Sequence, residues 1–277
     1  MSKNEIVQIS EGIYQIKYYW LGLADVYMYL IIGGEKALLI DTGFSNTHAR
    51  EYVQSVTELP VEVVNTHGHF DHIGGNSEFD KIYMSKEDWE TAKLHSDYEI
   101  LKEMLNHYEK AVPAINTLFG NAKIRKEAEQ SIHVKKFNPL PLPEKGYFEL
   151  GNRKVLYLKT PGHTIGSICL WDEQTKTFFP GDMLCEEGVL LGFEHSSSVS
   201  GYRDSITKMQ VFYKQHDGYQ ILPSHHQVPV KADIFERYLD LCDNIISGKY
   251  KGIYVDDGLS QGMCVKKNGL QLVYNRV

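Results

Sequence analysis

Short apolar runs separated by glycine-containing turns dominate the first part of the chain. Gly12–Trp20 (GIYQIKYYW), Asp25–Ile32 (DVYMYLII) and Lys36–Asp41 (KALLID) are rich in β-branched and aromatic residues and predict strands. Gly33-Gly34 predicts a hairpin between the last two. A helix is expected over about Thr47–Thr57, then a strand at Val61–Val64 and a short one at Lys81–Ser85. Ser85 with Asp88 fits a capping box opening a helical region. Leu101, Met104, Leu105, Tyr108 and Val112 recur at helical spacing, a stripe expected to pack on the body of the protein. Pro113 interrupts the stripe, and Ala114–Phe119 follows as a second helical piece ended by Gly120. Pro139, Pro141 and Pro143 read as a linker-like loop. Strand signals return at Tyr147–Leu150, Arg153–Lys159, Ser167–Trp171, Thr177–Asp182 and Tyr219–Leu222. Helices are expected over about Tyr202–Lys214 and Ala232–Ile246, and a hairpin turning at Asn268-Gly269 closes the chain. With no repeat, low-complexity tract or flexible linker, residues 1–277 read as one domain with a helical insertion at about 86–143.

Composition narrows the function only a little. Of 277 residues, 42% are hydrophobic and 23% charged, an ordinary soluble balance. The net charge of −7 argues against a nucleic-acid partner, which calls for a basic footprint. The polar start MSKNEIVQIS lacks an apolar signal core, and no apolar run is long enough to span a bilayer. Cys169, Cys185, Cys242 and Cys264 lie far apart and form no disulfide or zinc-knuckle pattern, so reduced thiols and a cytoplasmic location are expected. Oligomeric state is not readable.

The chemistry concentrates in Thr66–Gly75, THGHFDHIGG, directly after the apolar run Val61–Val64. On an extended or turning backbone, His67 and His69 can converge on one ion while Asp71 and His72 face a neighbouring one. Both ions are then short of ligands, so further His and Asp residues are expected at strand ends. His163 follows Arg153–Lys159, Asp182 follows Phe178–Phe179, and His225 follows Gln220–Leu222. Each alone could be structural, but four strand-end placements together favour a metal site.

These motifs resemble the metallo-β-lactamase-fold hydrolase superfamily, and the motif set is similar to that of glyoxalase II. The carriers are LLIDTG (38–43), THGHFDHIGG (66–75), TPGHTIGS (160–167), FPGD (179–182) and ILPSH (221–225), in family order over most of the chain. The resemblance implies an α/β fold, a four-layer αββα sandwich with a binuclear site along one edge. Carried over by position, His67, His69 and His163 would bind the first ion, Asp71, His72 and His225 the second, and Asp182 would bridge them. The family's usual Pro-Gly-His-Gly is here Pro223-Ser224-His225-His226, so His226 competes with the favoured His225. Asp41 would support a ligand imidazole from behind.

The implied activity is hydrolysis of an ester-like bond (thioester, lactone or phosphoester) by a hydroxide generated between two divalent ions, with Asp71 orienting the nucleophile or taking its proton. Zinc suits the imidazoles best, and iron or manganese also fit. A small-molecule substrate is expected. The alternatives are a non-catalytic ligand-binding member of the fold and, with less support, a nuclease, whose basic arm is missing from an insertion of mixed charge. No glutathione-binding helical domain is evident after His225. Substrate contacts are expected from the insertion and from the loop Cys185–Tyr202. There His195 and Tyr202 could hydrogen-bond substrate, or the loop could simply cap the next helix.

Overall fold

The alternating N-terminal runs fold into an antiparallel meander, and the apolar runs after them into parallel strands. The computed structural model describes residues 5–277, and the described residues form three sheets. The first holds seven strands in chain order: β1 (Glu5–Ser10), β2 (Ile13–Trp20), β3 (Ala24–Ile32), β4 (Ala37–Ile40), β5 (Val61–Val64), β6 (Ile82–Met84) and β7 (Leu140–Pro141). β1 to β4 pair antiparallel, and β4 to β7 pair parallel. Parallel neighbours require crossovers. These carry α1 (Ala49–Gln54), α2 (Phe70–Ile73), α3 (Trp89–Leu94), α4 (Tyr98–Ala111), α5 (Pro113–Phe119) and α6 (Ala122–Ser131).

The chain continues through β8 (Tyr147–Glu149), β9 (Lys154–Lys159), β10 (Ile168–Asp172), β11 (Thr177–Phe179), β12 (Val189–Leu191), α7 (Val199–Gln215), β13 (Gln220–Ile221) and α8 (Ile234–Ile246). It ends in β14 (Ile253–Asp256), β15 (Gln261–Lys267) and β16 (Leu270–Tyr274). The second sheet has the order β13-β11-β10-β9-β8, and β12 joins β16, β15 and β14 in the third.

Three apolar clusters give the layer order. Ile16, Met28, Leu39 and Val63 on one face of the first sheet pack with Leu101, Leu105, Ile115 and Phe119 of the insertion helices. The opposite face, with Tyr29, Ile31, Leu38 and Val64, packs on Phe148, Val155, Ile168 and Phe179 of the second sheet. The far side of the second sheet buries Trp171 and Phe178 against Ile206, Met209, Phe235 and Tyr238 of α7 and α8. Helices, sheet, sheet, helices is the αββα sandwich. A buried fork also ties the two sheets: the Arg153 guanidinium donates to Asp172 at 2.6 and 2.7 Å and to the Glu11 and Ile32 carbonyls. Removing one partner of such a pair costs about 3–5 kcal/mol.

Several expectations need correction. The first helix begins at Ala49 rather than near Thr47, because His48 sits at φ 57°, off the helical path. Ser85 and Asp88 do not form a capping box: the Ser85 hydroxyl donates to Glu87, and the Asp88 carboxylate is used elsewhere. The proline-rich loop contains β7, an edge strand where a missing N–H does little harm. α7 starts at Val199, and α8 at Ile234. β1, α6 and β14 gave no usable signal. β1 and β14 bury no residue fully, and α6 buries only Ala128 and Ser131.

Candidate metal centre

Strand direction brings the motifs together. β4 and β5 are parallel neighbours with Ile40 beside Val64, so Asp41 and the turn after Asn65 leave the same edge of the first sheet. In the second sheet β10 runs antiparallel to both β9 and β11, and β11 is parallel to β13. β9, β11 and β13 therefore point the same way. His163, Asp182 and His225 follow their C-terminal ends.

At this shared edge His69 Nδ1 lies 3.1 Å from His67 Nε2 and 2.9 Å from His163 Nε2. His72 Nε2 lies 3.2 Å from His225 Nε2, and Asp71 Oδ2 stands 3.7 and 3.5 Å from the two. Asp182 reaches both groups, at 3.6 Å from His163, 3.4 Å from His72 and 3.3 Å from His225. All seven expected ligand positions are thus adjacent. His226 is not among them. At φ 63° its ring turns toward Glu187, with Nδ1 3.5 Å from that carboxylate.

Each imidazole is held by its other nitrogen. His163 Nδ1 lies 2.7 Å from the Leu190 carbonyl, and His225 Nδ1 lies 2.7 Å from the Asp25 carbonyl. A carbonyl only accepts, so both rings carry a proton on Nδ1 and turn Nε2 inward. Asp41 accepts from the Thr66 amide and hydroxyl, each at 2.8 Å, and lies 2.9 Å from His72 Nδ1. Because the Thr66 hydroxyl donates to Asp41, its oxygen is left to accept from His67 Nδ1, 3.0 Å away. Asp41 sits at φ 60°, a conformation costing about 1–2 kcal/mol in a non-glycine residue. That strain is offset by the hydrogen bonds it makes possible.

The electrostatics suit a cation. Burial, reinforced by neighbouring imidazoles, holds His67 and His69 well below the usual histidine range, so both are neutral. Burial opposes the charge on Asp182, but His225 and His72 outweigh it and keep the carboxyl ionised. Burial likewise opposes protonation of His72 and His225, yet Asp182 pulls both upward. Asp182 Oδ1 is buried without a hydrogen-bond partner among the described residues. A buried carboxylate oxygen without a hydrogen bond, beside His72 and close to the neutral imidazoles of His67 and His69, completes a donor set that divalent ions fit.

Asp88 is a positioning residue that sequence reasoning missed. Its buried carboxylate accepts from the Gly68 amide at 2.8 Å, the Thr164 hydroxyl at 2.8 Å and the Gly166 amide at 3.0 Å. It clamps the first motif to the TPGHT loop. Gly68 has to be glycine for this approach, since a Cβ would meet the Ala92 amide at 2.7 Å. The only sequence signal was an aspartate in a polar run, read as a helix cap.

A cleft of about 1100 Å³ adjoins the centre, between α3 and α4 on one side and residues 192–195 and 256–261 on the other. His195 lines it and lies 2.8 Å, Nε2 to Nε2, from His69. Tyr202 does not line it. Its ring is fully buried and its hydroxyl donates to the Met183 carbonyl, so a substrate contact from Tyr202 is withdrawn. The capping alternative holds for part of its loop, because Ser198 caps α7 by accepting from the Gly201 amide.

Comparison with known proteins agrees with this fold. Residues 21–212 match the metallo-beta-lactamase superfamily. The chain belongs to that superfamily. It is a metal-dependent hydrolase, in line with the names its relatives carry. It is 27% identical over 210 residues to the acyl-coenzyme A thioesterase MBLAC2 of Bos taurus, covering 72% of each chain. It is 26% identical over 179 residues to the hydroxyacylglutathione hydrolase of Pelagibacter ubique, covering 64% of this chain and 58% of that one. A metallo-beta-lactamase from Pontibacter korlensis shares the fold at a TM-score of 0.62 and 18% identity, with 87% of this chain and all of that one (100%) covered. Among the described residues no helix is long and apolar enough to cross a membrane.

Proposed function

We propose that the protein is a binuclear, zinc-dependent thioesterase that hydrolyses a small acyl thioester. The observation that carries the binuclear reading is the reach of Asp182, within 3.6 Å of both His163 and the His72/His225 pair. His67, His69 and His163 hold one ion, Asp71, His72 and His225 the other, and Asp182 lies between. Such a pair of ions acidifies water and polarises the scissile carbonyl when bound. The protein's share is to fix the imidazoles through Asp41, Thr66, Leu190 and Asp25. Asp71, partly exposed, orients the attacking water and takes its proton. The thioester class is supported by the relatives' names, since an acyl-coenzyme A and a hydroxyacylglutathione are both acyl thioesters. The apolar side chains of the cleft, Leu94, Ile100, Met104, Ile165 and Phe193, suit an acyl group, and His195 stands at its inner end. The insertion helices share the core of the first sheet, which supports a single domain. The four free, buried cysteines suit a reducing, cytoplasmic setting.

The test is a hydrolysis screen of acyl thioesters, lactones and phosphodiesters before and after chelation. Thioester turnover is expected to vanish with the metal and return on addition of zinc. Turnover by a metal-free His67→Ala/His69→Ala double variant would sink the metal reading. Preference for a lactone or phosphodiester would redirect the substrate class alone.

A further inference from the structure

Two histidines left unused by the hydrolytic set, His95 and His195, meet the outer side of His69. The three rings each offer a nitrogen, all within 4.8 Å of one another. Ring centroids lie 4.4 Å apart for His69–His95, 5.0 Å for His69–His195 and 5.5 Å for His95–His195. The His67, His69 and His163 rings lie 4.6 to 4.8 Å apart, so the two triads have similar dimensions. His95 is only 7% exposed, and its Nδ1 has no hydrogen-bond partner among the described residues. A buried polar atom left without a partner is costly, and a ligand that reached it would offset the cost.

A predicted ion site also needs a route from solvent. The cleft supplies it, because His95 and His195 lie on its wall. Its lining carries the carboxylates of Glu87, Glu90, Asp97, Glu103, Glu194 and Asp256 against one lysine, Lys93. Part of that charge is paired, Glu87 with Lys159 and Glu90 with Lys93. The balance remains negative, and a concave wall of one sign concentrates counter-ions.

We propose that His69, His95 and His195 form a further divalent-cation site that shares His69 with the hydrolytic centre. A set of three imidazoles favours a late first-row ion such as zinc, copper or nickel over magnesium or calcium. On binding, the proton on His69 Nε2 leaves to solvent and a nitrogen–metal bond replaces the N–H bond. The ring then joins two ions, through Nδ1 to the hydrolytic side and through Nε2 to the new one. The competing arrangement is a plain hydrogen bond from His69 Nε2–H to His195 Nε2, which leaves no room for the ion. The inference rests on the proposed function only for the ion at Nδ1.

Equilibrium dialysis of the full chain against excess zinc, followed by metal counting, separates the two. Three ions per chain are expected for the wild type and two for His95→Phe, which keeps a ring stacked on Phe70 (5.9 Å, 6°). His195→Gln is expected to hold two as well, and it decides the matter if His95→Phe does not fold. A wild type with two ions overturns the new site and leaves the binuclear reading intact. Three ions retained in a folded variant also overturn it. Fewer than two on the wild type removes the hydrolytic pair and the shared ligand together.

Discussion

The metal-facing edge and the cleft beside it are built on different rules. At the edge, the imidazoles of His67, His72, His163 and His225 each have the outer nitrogen fixed by a named partner. The cleft wall has little of this. Leu94, Ile100 and Ile165 are 41%, 43% and 49% exposed. Ligand atoms must be placed within tenths of an ångström, so each needs support from behind. The acyl chain of the proposed substrate asks only for an apolar space of adequate size. The edge therefore has few workable sequences and the cleft has many.

The sharpest way to break the comparison is at the shared carboxylate. Asp182→Asn keeps shape and removes the charge between the two histidine groups. Loss of several kcal/mol of transition-state stabilisation is expected, on the order of 10³-fold in kcat. Steady-state rates with metal counts on the same sample check it, and a variant within a fewfold of wild type would show that the edge is not tightly specified. A smaller effect is expected one layer out. Asp41→Asn keeps the shape but turns one accepting oxygen into a donating NH2, so part of the contact with Thr66 and His72 is lost along with the anion behind them. Metal affinity is expected to fall about 10–100-fold, read by competition with a chromophoric chelator. An unchanged affinity would mean that the imidazoles need no support from behind.

The same contrast accounts for what the sequence made legible. His67, His69, Asp71 and His72 crowd into one turn, and His163, Asp182 and His225 each follow an apolar run, so the edge and the sandwich could be read from spacing and resemblance. Local spacing was silent where a residue acts across the fold. Asp88 joins the Gly68 and Thr164 loops from twenty and seventy-six residues away, and nothing near it in sequence marks that role. Tyr202 lay in the right loop but on the inner face of α7, and only packing decides which way a helix turns. β1 and α6 were missed because they bury little, and burial is what writes a pattern into sequence.

The smallest expected effect tests whether the cleft, for all its looseness, discriminates by charge. Its lining is acidic, as is the chain as a whole at −7. Coenzyme A carries several phosphate charges, whereas a thioester of N-acetylcysteamine carries none. With the proposed thioester substrate, the wall is expected to favour the neutral leaving group, even though one relative of the chain is named for acyl-coenzyme A. Glu103→Lys turns one exposed wall charge from negative to positive. An exposed charge is worth about 0.2–1 kcal/mol, which is roughly a fewfold change. The variant is expected to gain by that factor in kcat/KM for an acyl-coenzyme A and to stay level for the same acyl group on N-acetylcysteamine. The gain should fade in high salt, since exposed charges more than about 10 Å apart are screened at 0.1 M ionic strength. Equal gains on both thioesters, or a gain indifferent to salt, would place the effect in packing and leave the cleft without a charge preference.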